Sequence, residues 1–155
     1  MIDPKEIMYQ EGRRAALDLQ ARAPGMTGTE IIAEEIDIPA WKPYKDYTKW
    51  PVGSPVTDEG QVWLLLIPHN SAHYAGRPAG LRALWGLAHT TDPAKAKPWV
   101  APYGTSGLYA SGECCTYPAA DGLTHVFRNL HEGNEYPPLM MNVESRWEDL
   151  GEAAE

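Results

Sequence analysis

His69 and His73 stand four residues apart in HNSAHY, a spacing that on a helix turns two imidazoles to one face and can hold zinc. Pro68, Gly76 and Pro78 interrupt the stretch, so no helix is expected there. The matching places later in the chain, Gly133 and Pro137, bring no ligand. Neither a metal nor any other cofactor is expected. Cys114 and Cys115 are adjacent. On a strand they point to opposite faces, a vicinal disulfide needs a strained peptide, and no CxxC partner exists. They are expected to be small half-buried residues in a reducing compartment. The paired acids Glu34-Glu35 and Glu148-Asp149 suit a solvated surface, whereas a glycosidase needs two carboxylates across a cleft. G-x-S-x-G, P-loop and G-x-G-x-x-G patterns are absent. The residues point to a protein that is not an enzyme.

Aromatic rings offer more. WKPYKDYTKW places Trp41, Tyr44, Tyr47 and Trp50 among charged residues, an alternation that turns some rings to water and implies a partner surface. Tyr74 and Tyr136 each stand shortly before a proline in loops, where recognition usually lies. A sugar presents an apolar C–H face edged by hydroxyls, so aromatic faces flanked by hydrogen-bonding groups are what would hold it. The candidate carbohydrate-binding residues are Trp41, Trp50, Tyr74, His69 and Tyr136. Asn70 and Asn134 are expected to cap turns through side-chain-to-backbone hydrogen bonds. That makes the His69-Asn70 end of GQVWLLLIPHN a strand terminus first and a site second.

The elements that position these residues follow from composition and pattern. The chain has 155 residues, a net charge of -8, and 14 Gly and 14 Pro. Its aromatics are six Trp and eight Tyr against one Phe, which suggests short strands, turns and aromatic clusters. The acidic balance and the lack of a basic stripe exclude nucleic acid as a partner. Nothing resembles a membrane anchor or span. MIDPKEIMYQEGRR has no apolar leader, so synthesis in the cytoplasm without a signal peptide is expected.

Asp3-Pro4-Lys5-Glu6 opens a helix, and Met8, Ala15, Leu19 and Ala23 give it a weak apolar stripe up to Pro24-Gly25. Thr27-Gly-Thr-Glu30 is a capping box that opens a second, shorter helix. Residues 1–36 therefore read as a helix-turn-helix hairpin or arm. After Ile36, landmarks recur in order: Trp41 and Trp99 lie 58 apart, Trp50 and Tyr109 59, Gly53 and Gly112 59. Trp63 and Phe127 lie 64 apart, Asn70 and Asn134 64, Trp85 and Trp147 62. The drift fits an insertion around Pro118–Gly122. The pattern reads as a duplication, with units at 38–89 and 98–151 joined by a linker at 90–97. Trp63, Phe127, Trp85 and Trp147 are the expected core, since units of this size need large rings to bury enough surface. The expected fold is mainly β: two small antiparallel β modules in tandem behind the helical arm.

Each unit resembles a carbohydrate-binding module of family 5/12, the small chitin- and cellulose-binding type. The first carries the resemblance in Trp41-Lys-Pro43, Trp50-Pro-Val-Gly53, Gly60-Gln-Val-Trp63, Pro78 and Leu84-Trp85. The second carries it in Trp99-Val-Ala-Pro102, Tyr109-Ala-Ser-Gly112, His125-Val-Phe127, Pro137 and Trp147. Tandem copies behind a short helix are also similar to small tail-associated proteins of phages and prophages of Gram-positive bacteria. The resemblance implies a cell-wall or chitin-like polysaccharide as ligand and a virion or tail setting. It also implies other tail proteins as partners and a homo-oligomer, such as a trimer, through the N-terminal helix. The alternative is a structural tail or baseplate component whose modules mediate assembly and no longer bind sugar. One departure stands out: the family's exposed aromatic pair is replaced by Ile67-Pro68 and by His131-Glu132.

Overall fold

Asp3 accepts a hydrogen bond from the Lys5 amide at 2.9 Å, and Pro4 follows with its φ already helical. These start α1 (Pro4–Arg22), the first element in a computed structural model that describes residues 3–139 and 146–154. Positions 140–145 of the expected second unit lie outside the described residues. A single turn at Ala23–Gly25 ends α1 where the Pro-Gly pair forbids its continuation. The capping box then opens α2 (Gly28–Ala33): Thr27 Oγ1 accepts from the Glu30 amide at 3.2 Å, and Glu30 Oε1 accepts from the Thr27 amide at 3.0 Å.

Two sheets follow, so helix and sheet share the chain in an α+β arrangement. The first orders β1 (Pro55–Asp58), β2 (Gln61–Leu65) and β3 (Trp85–Leu87) side by side. Glu59 and Gly60, at φ 51° and 76°, make the two-residue turn between β1 and β2. The second sheet orders β4 (Lys97–Pro98), β5 (Cys114–Pro118), β6 (Thr124–Asn129) and β7 (Trp147–Glu152). It is antiparallel except for the two-residue pairing of β4 with β5. The expected longer loop joins β5 to β6, closed by the Ala119 amide on the Leu123 carbonyl at 2.8 Å.

The chain divides into two compact units, 1–86 and 87–155. The helices belong with the first sheet in this division, and the division falls ahead of the stretch read as a linker. Leu19, Ala23, Ile31 and Ile32 are all buried in that unit. Burial of each large aliphatic contributes about 1.5–3 kcal/mol. Half of the apolar stripe of α1 thus turns inward, while Met8 is exposed.

The same backbone connections recur inside each unit. The Trp41 amide donates to Thr57 O at 2.8 Å as Trp99 donates to Thr116 O at 3.0 Å. Gly53 donates to Leu65 O at 2.7 Å as Gly112 donates to Asn129 O at 2.8 Å. The rings differ from the expected pairing. Tyr47, not Trp50, does in the first unit what Tyr109 does in the second. Each phenol oxygen accepts from the amide after the early Trp, Lys42 at 3.0 Å and Val100 at 3.3 Å. Each ring also meets the closing Trp edge-on, at 5.3 Å for Trp85 and 5.1 Å for Trp147. Trp63, Phe127, Trp85 and Trp147 are buried, as their spacing predicts. Among the described residues no helix is long and apolar enough to cross a membrane.

Candidate functional site

The Trp41 amide bond to Thr57 fixes Trp41 beside β1, and from there the chain turns out through Pro43 and Tyr44. A second segment reaches the same place from β2. Asn70 Oδ1 accepts from the Ala72 amide at 3.0 Å and caps a single turn at Ser71–His73 that ends on Tyr74. Asn134 makes the equivalent bond to the Tyr136 amide at 3.0 Å, so both asparagines cap turns as expected. Ser71 joins the two segments. Its buried hydroxyl donates to Lys42 O at 2.7 Å and accepts from the Lys45 amide at 2.8 Å.

Between these segments lies an open groove of about 450 Å³, walled by Trp41, Tyr44, His73, Tyr74 and Arg77. Tyr44 is 85% exposed and Tyr74 45%. Arg77 crosses to the β1–β2 turn, where Nη1 meets Asp58 Oδ1 at 2.6 Å and Nε lies 3.5 Å from Glu59. Its guanidinium carbon sits 5.7 Å from the centre of the Trp41 ring. Burial pushes the Asp58 carboxyl above the usual carboxylate range, and the charge of Arg77 opposes that shift. The groove thus combines aromatic surfaces with the guanidinium of Arg77, anchored on Asp58. That set can stack on an apolar face and donate to hydroxyl oxygens.

The sequence candidates separate. Trp41 and Tyr74 share this groove. Trp50 does not: it lines a second groove of about 710 Å³ beside α1, with Met8, Tyr9, Leu17 and Ile36. There Tyr47 meets it edge-on at 4.7 Å and Lys45 Nζ lies 5.4 Å over its ring. His69 lies beneath the surface, 5% exposed, packed against Tyr47, Tyr74 and Trp85. Its Nδ1 donates to Ile67 O at 2.8 Å, which makes it a core residue supporting Tyr74. With His69 buried and His73 exposed, the H-x3-H spacing carries no shared face. Among the described residues no three His, Cys, Asp or Glu side chains gather as a metal set. Tyr136 belongs to the second unit, half-buried beneath the Arg146 guanidinium at 5.0 Å, and its carbonyl accepts from Trp147 Nε1 at 2.9 Å.

Arg77 and Ser71 were not legible as site residues. Arg77 reads as one more loop cation in YAGRP, and its partner Asp58 lies 19 positions away. The sequence signal for it is the acidic pair Asp58-Glu59 at the hairpin turn, which calls for a cation nearby. Cys114 and Cys115 are more deeply buried than their pattern suggested, and both are free thiols. Burial pushes both of them up. No protein-family model and no curated protein matches the chain, so its own residues carry the functional argument.

Proposed function

We propose that this is a non-catalytic carbohydrate-binding protein, built of two small β modules behind a helical arm, that recognises a cell-surface or cell-wall polysaccharide. The observation that carries this reading is the groove in the first unit. Trp41, Tyr44 and Tyr74 line it, Arg77 anchors its rim, and apolar faces next to fixed donors are what a sugar ring requires. The resemblance to family 5/12 modules supports it, and the similarity to phage and prophage tail-associated proteins supplies a virion setting. Duplication adds avidity where both modules reach one polymer.

The test is retention of the pure protein on insoluble chitin, cellulose and Gram-positive cell walls. Wild type is expected to be retained on at least one, and Trp41→Ala and Tyr74→Ala to be released while their thermal midpoints stay within a few degrees. Trp50→Ala, in the other groove, is expected to stay bound. Retention of all three variants, or of none of the proteins, counts against the reading.

A second reading is a structural tail component. It is favoured by Met8, Tyr9, Leu17 and Ile36, which stand exposed around Trp50, with Ile36 95% exposed. Sedimentation velocity decides it. A homo-oligomer that dissociates on Leu17→Glu or Ile36→Glu supports assembly through this face, and a monomer at all concentrations removes it.

A further inference from the structure

The shape of the Trp41–Tyr74 groove restricts what kind of glycan it takes. This inference rests on the carbohydrate-binding reading and goes beyond it. A crystalline polymer face is flat, and binding to it needs rings exposed side by side in one plane. In the family 5/12 modules that the first unit resembles, such a pair falls where this chain holds Ile67 and Pro68. The aromatics that are present wall a concavity instead.

Two contacts keep that concavity from flattening. Ser71 ties the loop that carries Tyr74 to the carbonyl of Lys42 and the amide of Lys45, so the two walls are held at a fixed separation. Arg77 is pinned by Asp58, whose side chain is only 9% exposed, and rests over the Trp41 ring. A guanidinium in that position occupies part of the surface that a flush stack against a crystal would need. It also brings N–H groups into the groove lining beside the ring, within reach of a separate sugar strand's edge. An open groove with two walls can meet two sides of one separate strand, whereas a crystal presents one face.

We propose that this groove binds a single, solvated glycan strand and not the face of a crystalline polymer, with Arg77 as the residue that sets the choice. Trp41 and Tyr74 contact the sugar faces, and Arg77 donates to ring or hydroxyl oxygens at the strand's edge.

The experiment uses the full chain and three soluble probes: chitohexaose, cellohexaose and muramidase-released fragments of Gram-positive cell wall. Affinity is read by isothermal titration. The same probes are then used to compete the protein off the insoluble polymer that retains it. At least one soluble probe is expected to bind and to displace the protein fully. Arg77→Ala is expected to weaken that probe at least tenfold, and Arg77→Lys, which lacks the planar fork, to restore less than half of the loss. Thermal midpoints are recorded alongside. Trp50→Ala is expected to behave as wild type.

Retention on crystalline chitin or cellulose that no soluble probe competes overturns the single-strand inference while the carbohydrate-binding reading stands. Unchanged affinity in Arg77→Ala overturns the assignment of Arg77. Failure to bind any probe, soluble or insoluble, overturns both readings.

Discussion

His125 lies between two carboxylates, with Nδ1 2.9 Å from Asp149 and Nε2 2.7 Å from Asp121. Both ring nitrogens face acceptors, so the arrangement is best satisfied by the imidazolium. Asp149 first and Asp121 second raise the histidine above its ordinary value. Both acids are held low. For Asp149 the Gly151 amide is the larger cause, for Asp121 the Leu123 amide, and His125 comes second in each. The sign follows from linkage. A raised histidine contributes stability that is complete below its unfolded value, about 6.5, and is lost as pH rises through the folded value. The lowered acids contribute stability that is present above their unfolded value, about 3.9, and is lost as pH falls through their folded values. The β5–β6 loop and β7 are therefore expected to be held most firmly between about pH 4 and 6.5. An NMR titration of the His125 ring should give a midpoint above the ordinary histidine value of about 6.5. The thermal midpoint should fall from pH 6 to 9 in wild type, and less so in His125→Gln. The buried thiols give a second expectation at this scale. Cys114 and Cys115 should resist alkylation by iodoacetamide in the folded protein and react together on unfolding.

Among the elements, the turn after α1 and the loop that follows Asn70 decide most. Gly53 sits at φ +95°, and a Cβ there would come within 3.3 Å of Pro24 Cα, so the Pro24-Gly25 turn packs directly on this glycine. Gly112 has nearly the same φ, +93°, but a Cβ there would meet nothing nearer than a Thr91 methyl at 3.8 Å. Both substitutions to alanine carry the left-handed strain of about 1–2 kcal/mol. Gly53→Ala adds a tight contact with the Pro24 backbone and should lower the thermal midpoint further than Gly112→Ala. Ser71→Ala leaves the Lys45 amide and the Lys42 carbonyl without their bonds to the hydroxyl, at a cost of about 1–3 kcal/mol. It should weaken glycan binding as well, because it releases one groove wall from the other. Urea unfolding and titration on the same samples check both effects.

At the scale of the whole molecule, two cores are each built from rings of their own unit. Trp63, Trp85 and Tyr47 lie in the first, and Phe127, Trp147, Tyr109 and Cys115 in the second. Trp63→Ala and Phe127→Ala should each cost about 3–5 kcal/mol. Calorimetry is expected to show Trp63→Ala shifting the melting of one unit and Phe127→Ala that of the other; a single transition moved equally by both would show that the units melt together. The sequence by itself determined the features that depend on near neighbours. The Asp3 and Thr27 caps, the Pro24-Gly25 stop, the longer β5–β6 loop and the buried rings of Trp63, Phe127, Trp85 and Trp147 were legible. Their partners lie within a few positions, or their bulk demands burial wherever they fall. Tertiary structure alone decided which rings of WKPYKDYTKW face water: Tyr44 is open and Tyr47 buried, although each is a tyrosine among charged residues. It also separated Trp50 from Trp41, sank His69 beneath Tyr74, and brought Arg77 over Trp41 through Asp58. The physical reason is range. A groove wall is set by contacts between segments 19 to 36 positions apart, and nothing local in either segment encodes the distance between them.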